Sequence, residues 1–201
     1  MSVQQDPQHQ IRVIAAPTPV ELAEVNSVIA QSTQSWPTSG RLKRLAMAPL
    51  QYPQPDLQDF ELLMCYKAHA CLGMAAWQSN TPLSLGNTMV AAVSLGGENT
   101  VKAALLQSLF VNAQAQERGI GGLLLEEFIC QARQRGSAGV FVRAGRFSTS
   151  YFEHKGSHQL DDEEECGLKP EDYPHRYLLA VSCGFSLLVA KASGAQRGYR
   201  G

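Results

Sequence analysis

Hydrophobic positions along this chain recur with two periods, and together they predict most of its elements. Gln10–Ala15 (QIRVIA) alternates apolar and polar residues, which predicts a first strand. Leu22, Val25 and Ile29 then recur at helical spacing. They stand behind Thr18-Pro19-Val20-Glu21, an N-cap candidate with proline at the first helical position and an acid three residues after the cap. A helix over Pro19–Gln31 follows. Arg41–Met47 (RLKRLAM) predicts a short helix after Ser39-Gly40, and Pro49, Pro53 and Pro55 predict extended or turn structure beyond it. Phe60–Tyr66 and Ala70–Trp77 read as a hairpin turning at Lys67-Ala68-His69. Gly73, inside its second strand, marks a bulge or a close backbone approach.

Residues 78–99, rich in Ser, Asn, Thr and Gly, predict a loop holding one further strand at Met89–Leu95. Val101–Val111 is the next strand. From Gly119 an amphipathic helix puts Ile120, Leu124 and Phe128 on one face, flanked by Leu125, Ile129 and Ala132. Arg133 and Arg135 in its last turn and Gly136 beyond suit the helix dipole and the C-cap. Ala138–Arg143 predicts a buried strand, Thr149–Lys155 a short helix closed by Gly156, and Leu178–Ala190 two strands split at Gly184. The order is β-α-α-β-β-β-α-β-α-β-β. A lone early helix, a meander and then strand–helix–strand predict one mixed α/β domain over residues 1–201, with a disordered polar stretch at residues 1–9.

Composition removes several functions. The net charge is −1 and the 17 Lys and Arg are scattered, so nothing suggests a nucleic-acid backbone as partner. The five cysteines are odd in number, widely spaced and without a C-x-x-C, which argues against a disulfide framework and a zinc ribbon. His154 and His158 lie four apart, with Cys166 and His175 downstream, but Gly156 between the histidines ends the helix and no metal is expected. The longest apolar run, Leu178–Ala190, is shorter than the roughly 20 residues a membrane span needs. The N-terminus lacks the basic and apolar regions of a signal peptide, so a cytoplasmic location is expected; a homodimer is left open.

The candidate chemistry centres on Leu105–Gln134, where an apolar strand feeds a loop with Gly119, Gly121 and Gly122 at a helix N-terminus. Such a turn presents unpaired backbone N–H groups to an anion. A P-loop is excluded because no Gly-Lys-Ser/Thr follows, and a dinucleotide fingerprint is weak because Leu124 fills its third glycine position. What remains is Gln116-Glu117-Arg118-Gly119-Ile120-Gly121-Gly122, preceded by Leu109-Phe110-Val111. This run resembles the acetyl-CoA-binding motif of the GCN5-related N-acetyltransferases, the GNAT superfamily, whose core is [Q/R]-x-x-G-x-[G/A]. Ala113 departs from the proline common there, and Leu72-Gly73 resembles the family's apolar-glycine step.

The resemblance implies a mostly antiparallel twisted sheet of about six to seven strands flanked by helices, with a splayed parallel pair around the cofactor. It implies an acetyl-CoA-dependent N-acetyltransferase in which an amine of a small molecule or protein attacks the thioester directly, without a metal. An acyl-CoA-binding module with little catalysis is the alternative. Gln116, Glu117, Arg118, Gly119, Ile120, Gly121 and Gly122 would hold the diphosphate. Leu109, Phe110 and Val111 would pair with the pantetheine, a backbone N–H there polarising the thioester oxygen. The family's acid is a tyrosine four residues before the glycine of Y-[ED]-[KR]-x-G-F. In Tyr151-Phe152-Glu153-His154-Lys155-Gly156-Ser157 that slot holds Phe152, and Tyr151, one residue earlier, is the candidate acid. The family's frequent base glutamate falls at Gln107, which accepts no proton at neutral pH, leaving Glu61 reached through water as a candidate base.

Overall fold

The computed structural model describes residues 9–53, 60–84, 100–137, 139–144, 148–159 and 176–179. Four helices pack on a seven-stranded sheet in this set. In chain order the elements are β1 (Gln10–Ile14), α1 (Pro19–Gln34), α2 (Gly40–Leu50), β2 (Glu61–Lys67), β3 (Ala70–Ser84), β4 (Thr100–Val111), α3 (Ile120–Gln134), β5 (Gly139–Arg143), α4 (Thr149–His154), β6 (His158–Gln159) and β7 (Arg176–Leu179). The sheet order is β1-β2-β3-β4-β5-β7-β6, antiparallel throughout except for the parallel pair β4 and β5. No helix among the described residues is long and apolar enough to cross a membrane.

Period-2 alternation in the central strands feeds two separate cores. Leu62, Met64 and Tyr66 of β2, with Met74 and Ala76 of β3, face α1 and bury Val25, Val28 and Ile29. Leu63, Cys65, Ala75 and Trp77 point the other way and meet Ile120, Leu124, Leu125, Phe128 and Ala132 of α3. Both faces of the sheet are covered, which is why β2 reads as a nearly unbroken apolar run. Phe128 packs edge-on against Trp77, with ring centroids 5.3 Å apart.

The helix ends follow from local residues. Thr18 and Glu21 close the capping box: the Thr18 N–H donates to Glu21 Oε2 at 2.7 Å, and Thr18 Oγ1 accepts from the Glu21 N–H at 3.3 Å. Gly136, at φ +74°, ends α3 with its N–H on the Arg133 carbonyl and the Ser137 N–H on the Ala132 carbonyl.

Three expectations are corrected. Helix α2 runs through Pro49 to Leu50 where turn structure was expected. Pro49 falls in the last turn of a helix that buries no residue, and the Gln51 N–H still reaches the Met47 carbonyl at 3.1 Å, so the proline interrupts little. Strand β3 continues to Ser84 into the expected loop, because β4 carries its main chain onward through two register shifts. The strand expected to begin at Leu178 begins at Arg176 and is described as far as Leu179, and a short strand at His158–Gln159 was not expected. The predicted strand at Met89–Leu95, the stretch 1–8 and residues 180–201 lie outside the described residues.

Gly73 sets how closely α3 lies on the sheet. At this point β2 and β3 shift register, leaving Leu72 out of the ladder, and the Leu72 carbonyl takes the Asn112 N–H at 2.8 Å. A Cβ on Gly73 would sit 3.0 Å from both Ile120 Cγ2 and Leu124 Cδ1 and 3.1 Å from the Phe110 carbonyl oxygen. Gly73→Val should therefore destabilise the domain by about 1–3 kcal/mol through overpacking. Thermal unfolding checks this, and a Tm equal to that of the parent chain would contradict it.

Candidate functional site

The main chain of β4 creates the site. Ala103–Leu106 pairs in parallel with Gly139–Val142 of β5, and there the parallel pairing stops. On its other edge β4 stays paired with β3 as far as Val111. The register passes from Trp77↔Leu106 to Ala76↔Ser108, so Gln107 is the extra residue of a bulge. The bulge stands where the pairing with β5 stops, one residue before β5 itself ends at Arg143. From Gln107 to Val111 one edge of β4 has no ladder partner among the described residues.

A cavity of about 1390 Å³ occupies the opening. That exceeds the few hundred to about 1,000 Å³ of an ordinary small-molecule pocket and suits an extended ligand with a second molecule beside it. Leu109, Phe110, Val111, Gln116, Glu117, Arg118, Gly119, Ile120, Gly121, Gly122 and Tyr151 all line it.

The turn into α3 is shaped for an anion. After β4 the chain makes one 3-10 turn at Ala113–Ala115, capped by the Asn112 side chain on the Gln114 N–H at 2.9 Å. Glu117 takes φ +62° and Gly119 φ +81°. Glycine carries the second of these without strain. With Gly119 as N-cap, no side chain caps α3, and the first helical bond beyond the cap runs from the Leu123 N–H to the Gly119 carbonyl at 3.0 Å. The N–H groups of Ile120, Gly121 and Gly122 thus have no acceptor within the helix, and the dipole adds about half a positive charge there.

The end of α1 holds this loop in place. Gln116 Nε2 donates to Ser35 Oγ at 3.0 Å and to the Val111 carbonyl at 3.3 Å, so its side chain braces the loop. Asn112 Nδ2 donates to Gln31 Oε1 at 2.5 Å. The far wall comes from the proline-rich stretch, through Trp36, Pro37, Pro49, Leu50, Gln51 and Tyr52, with Phe60 beside them. Asn26 fixes that wall: its amide donates to the Tyr52 carbonyl at 3.0 Å and accepts from the Tyr52 N–H at 2.9 Å. The Tyr52 hydroxyl meets Ser108 Oγ on β4 at 2.5 Å.

On α4, Phe152 is buried in the core against α3 and turns no polar group to the cavity. Tyr151 lies on the cavity side, its hydroxyl out of water and without a hydrogen-bond partner. A Cβ on Gly121 would stand 3.2 Å from that hydroxyl. Leaving such a group unpaired costs about 1–3 kcal/mol, which a hydrogen-bonding ligand in the cavity would offset. Burial, with a smaller contribution from the Glu126 carboxylate, pushes the phenol up to about 12.

Glu61 is corrected as a base. Its carboxylate is ion-paired with Arg135, whose guanidinium also stacks 4.6 Å from the Trp77 ring centroid, and it does not line the cavity. Gln107 does line the cavity. Among the described residues no three His, Cys, Asp or Glu side chains gather as a metal group; the side chain of His158, Cys166, His175 and the acidic run 161–165 lie outside those described. Lys155 and Tyr52 were not singled out in the sequence. The first was legible as the residue four after Tyr151, one turn along the same helix face. The second depends on a pairing with a residue 26 positions away, for which no local signal exists.

No family model and no curated protein matches the sequence. Solved structures do match the fold. A GNAT-family acetyltransferase from Brucella melitensis, in complex with acetyl-CoA, superposes at TM-score 0.51 and 19% identity over 87% of this chain and 88% of its own. The PaiA N-acetyltransferase of Thermoplasma acidophilum, in complex with coenzyme A, gives 0.57 and 13% over 86% and 99%. A GCN5-related N-acetyltransferase from Ralstonia eutropha gives 0.58 and 14% over 77% and 95%.

The Tyr151 phenol yields a pH prediction. Unfolded, it ionises near its ordinary value of 10; folded, near 12. Above pH 10 the unfolded chain has released a proton that the folded chain still holds. The stability gained from Tyr151 is therefore complete below pH 10 and is lost as pH rises through 12. Tyr151→Phe should flatten the decline across that window and remove one high-pH step from the ultraviolet titration of the tyrosines. An unchanged titration would contradict it.

Proposed function

We propose that this chain, which has the fold of the GNAT acetyltransferases, is an acetyl-CoA-dependent N-acyltransferase acting on a primary amine. The observation that carries the reading is the coincidence of two main-chain features in one cavity: the unpaired edge of β4 from Gln107 to Val111, and the uncapped first turn of α3 at Ile120–Gly122. The second suits a diphosphate. The first suits an amide-bearing chain that pairs as an extra strand, as pantetheine does.

The residues present fit such a cofactor. The uncapped N–H groups of the first turn of α3 would meet phosphate oxygens, while Arg118 and Glu117 are exposed at the loop's rim. Leu109, Phe110 and Val111 supply peptide groups to the pantetheine, and a backbone N–H among them, placed at the thioester oxygen, stabilises the charge that develops as the amine adds. Bound acetyl-CoA brings an activated acyl group; transfer forms the amide C–N bond and breaks the C–S bond, releasing the thiol. The chain's contribution is orientation and main-chain electrostatics, neither of which needs a particular side chain.

The far wall supports an amine carried on an apolar or aromatic body. Trp36, Leu50, Tyr52 and Phe60 form its surface, with the neutral amides of Gln78 and Gln107 nearby. A binding module with little turnover is the second reading. What favours it is Phe152, buried where the family places its proton-donating tyrosine.

Gly121→Glu tests the cofactor: a carboxylate on the first turn of α3 should abolish acetyl-CoA binding measured by calorimetry, and retained binding would sink the assignment. Thiol release from acetyl-CoA across a panel of aromatic and aliphatic amines separates the two readings. Turnover with any amine makes the chain a transferase; tight binding with none makes it a module.

A further inference from the structure

We propose that Tyr151 and Lys155 form a side-chain clamp over the Gly121–Gly122 turn that holds the cofactor's diphosphate, with Tyr151 a binding residue and not the proton donor. The inference rests on the acyl-CoA reading above and assigns two residues within it.

Four positions apart, Tyr151 and Lys155 share one face of α4 and its C-cap. Each reaches a different glycine of the turn. The Tyr151 hydroxyl lies 3.2 Å from a Cβ placed on Gly121, and Lys155 Nζ lies 3.3 Å from one placed on Gly122. Both glycines thus have a polar atom close over the position a Cβ would take, and a side chain at either would press the clamp aside by a few tenths of an ångström. The α4 backbone is firmly set for this. Phe152 anchors it in the core, and Gly156, at φ +86°, closes it with its N–H on the Glu153 carbonyl and the Ser157 N–H on the Phe152 carbonyl.

Electrostatics points the same way. The Lys155 ammonium makes no hydrogen bond or ion pair among the described residues; it lies 6.0 Å from the Tyr151 ring centroid and stands beside the positive end of α3. Two positive features face each other there, an arrangement that a diphosphate between them makes favourable. Part of the lysine's placement is explained by the C-terminus of α4, whose dipole also attracts a cation. That does not account for the Tyr151 hydroxyl, which is out of water, unpartnered and aimed at the same turn. A neutral phenol is a good donor to a phosphate oxygen. Its place at the first turn of α3, 3.2 Å from a Cβ on Gly121, assigns it to the diphosphate end of the cofactor.

Calorimetry with two probes, coenzyme A and 3′-dephospho-coenzyme A, tests the clamp on the full chain and its Lys155→Ala, Lys155→Arg and Tyr151→Phe variants. Both probes keep the diphosphate. Lys155→Ala should weaken both by the same factor, about tenfold, and Lys155→Arg should restore most of the loss. Tyr151→Phe, which keeps the ring and its packing, should weaken both by about threefold to tenfold. A loss seen with coenzyme A but absent with the dephospho form would place Lys155 on the ribose phosphate and overturn the proposal. So would unchanged affinity in Tyr151→Phe, the result expected of a proton donor. Melting curves of the variants identify any loss that comes from unfolding; Lys155→Arg then carries the lysine arm. If the parent chain binds neither probe, the acyl-CoA reading itself falls, a result distinct from failure of the clamp.

Discussion

Strand β4 is paired along both edges from Ala103 to Leu106 and, among the described residues, along one edge from Ser108 to Val111. Buried peptide groups need partners, so an opened edge inside a covered sheet is costly unless something fills it. The bulge at Gln107 stands where the parallel pairing stops, β5 itself ends one residue later at Arg143, and the cavity lies along the stretch of β4 beyond that point.

The helix that starts at the mouth of this opening owes its depth to Gly73. Ile120, the first residue of α3, and Leu124, one turn on, both rest on the glycine's bare Cα. A side chain there would lift the N-terminal turn, and with it the N–H groups of Gly121 and Gly122, away from β4. The geometry that lets one ligand touch both the strand edge and the helix turn is therefore a packing property of a residue that touches neither end of the cavity.

Much of this was legible in the sequence. The central elements were readable because their burial is strong: the apolar runs of β2 and β4 and the Ile120, Leu124, Phe128 stripe each match what they pack against. The turn into α3 was readable as a glycine-rich helix start, and the structure has Gly119 there at φ +81° as an N-cap without a side-chain cap. The limits came from interactions that composition does not carry. Strand β3 extends into a Ser- and Asn-rich stretch because its partner holds its main chain, whatever its side chains. Pro49 sits in a helix because it falls where few helical bonds remain to be broken. Glu61 looked like a distant base, but Arg135, 74 residues away, takes its carboxylate, a long-range pairing. Tyr151 was legible as a residue of interest, while the direction of its hydroxyl depends on how Phe152 seats α4.

Helix α1 touches both ends of the cavity. Gln31 and Ser35 in and just after its last turn hold Asn112 and Gln116 of the loop that leads into α3, and Asn26, about two turns earlier, holds both main-chain groups of Tyr52 on the opposite wall. A single rigid rod thus joins the two halves of the ligand space. Any displacement of α1 that accompanies binding at one half alters the other, and the coupling must run equally in both directions, since reciprocity of binding free energies is a thermodynamic requirement. Occupants of the two halves would then report on each other's presence through α1.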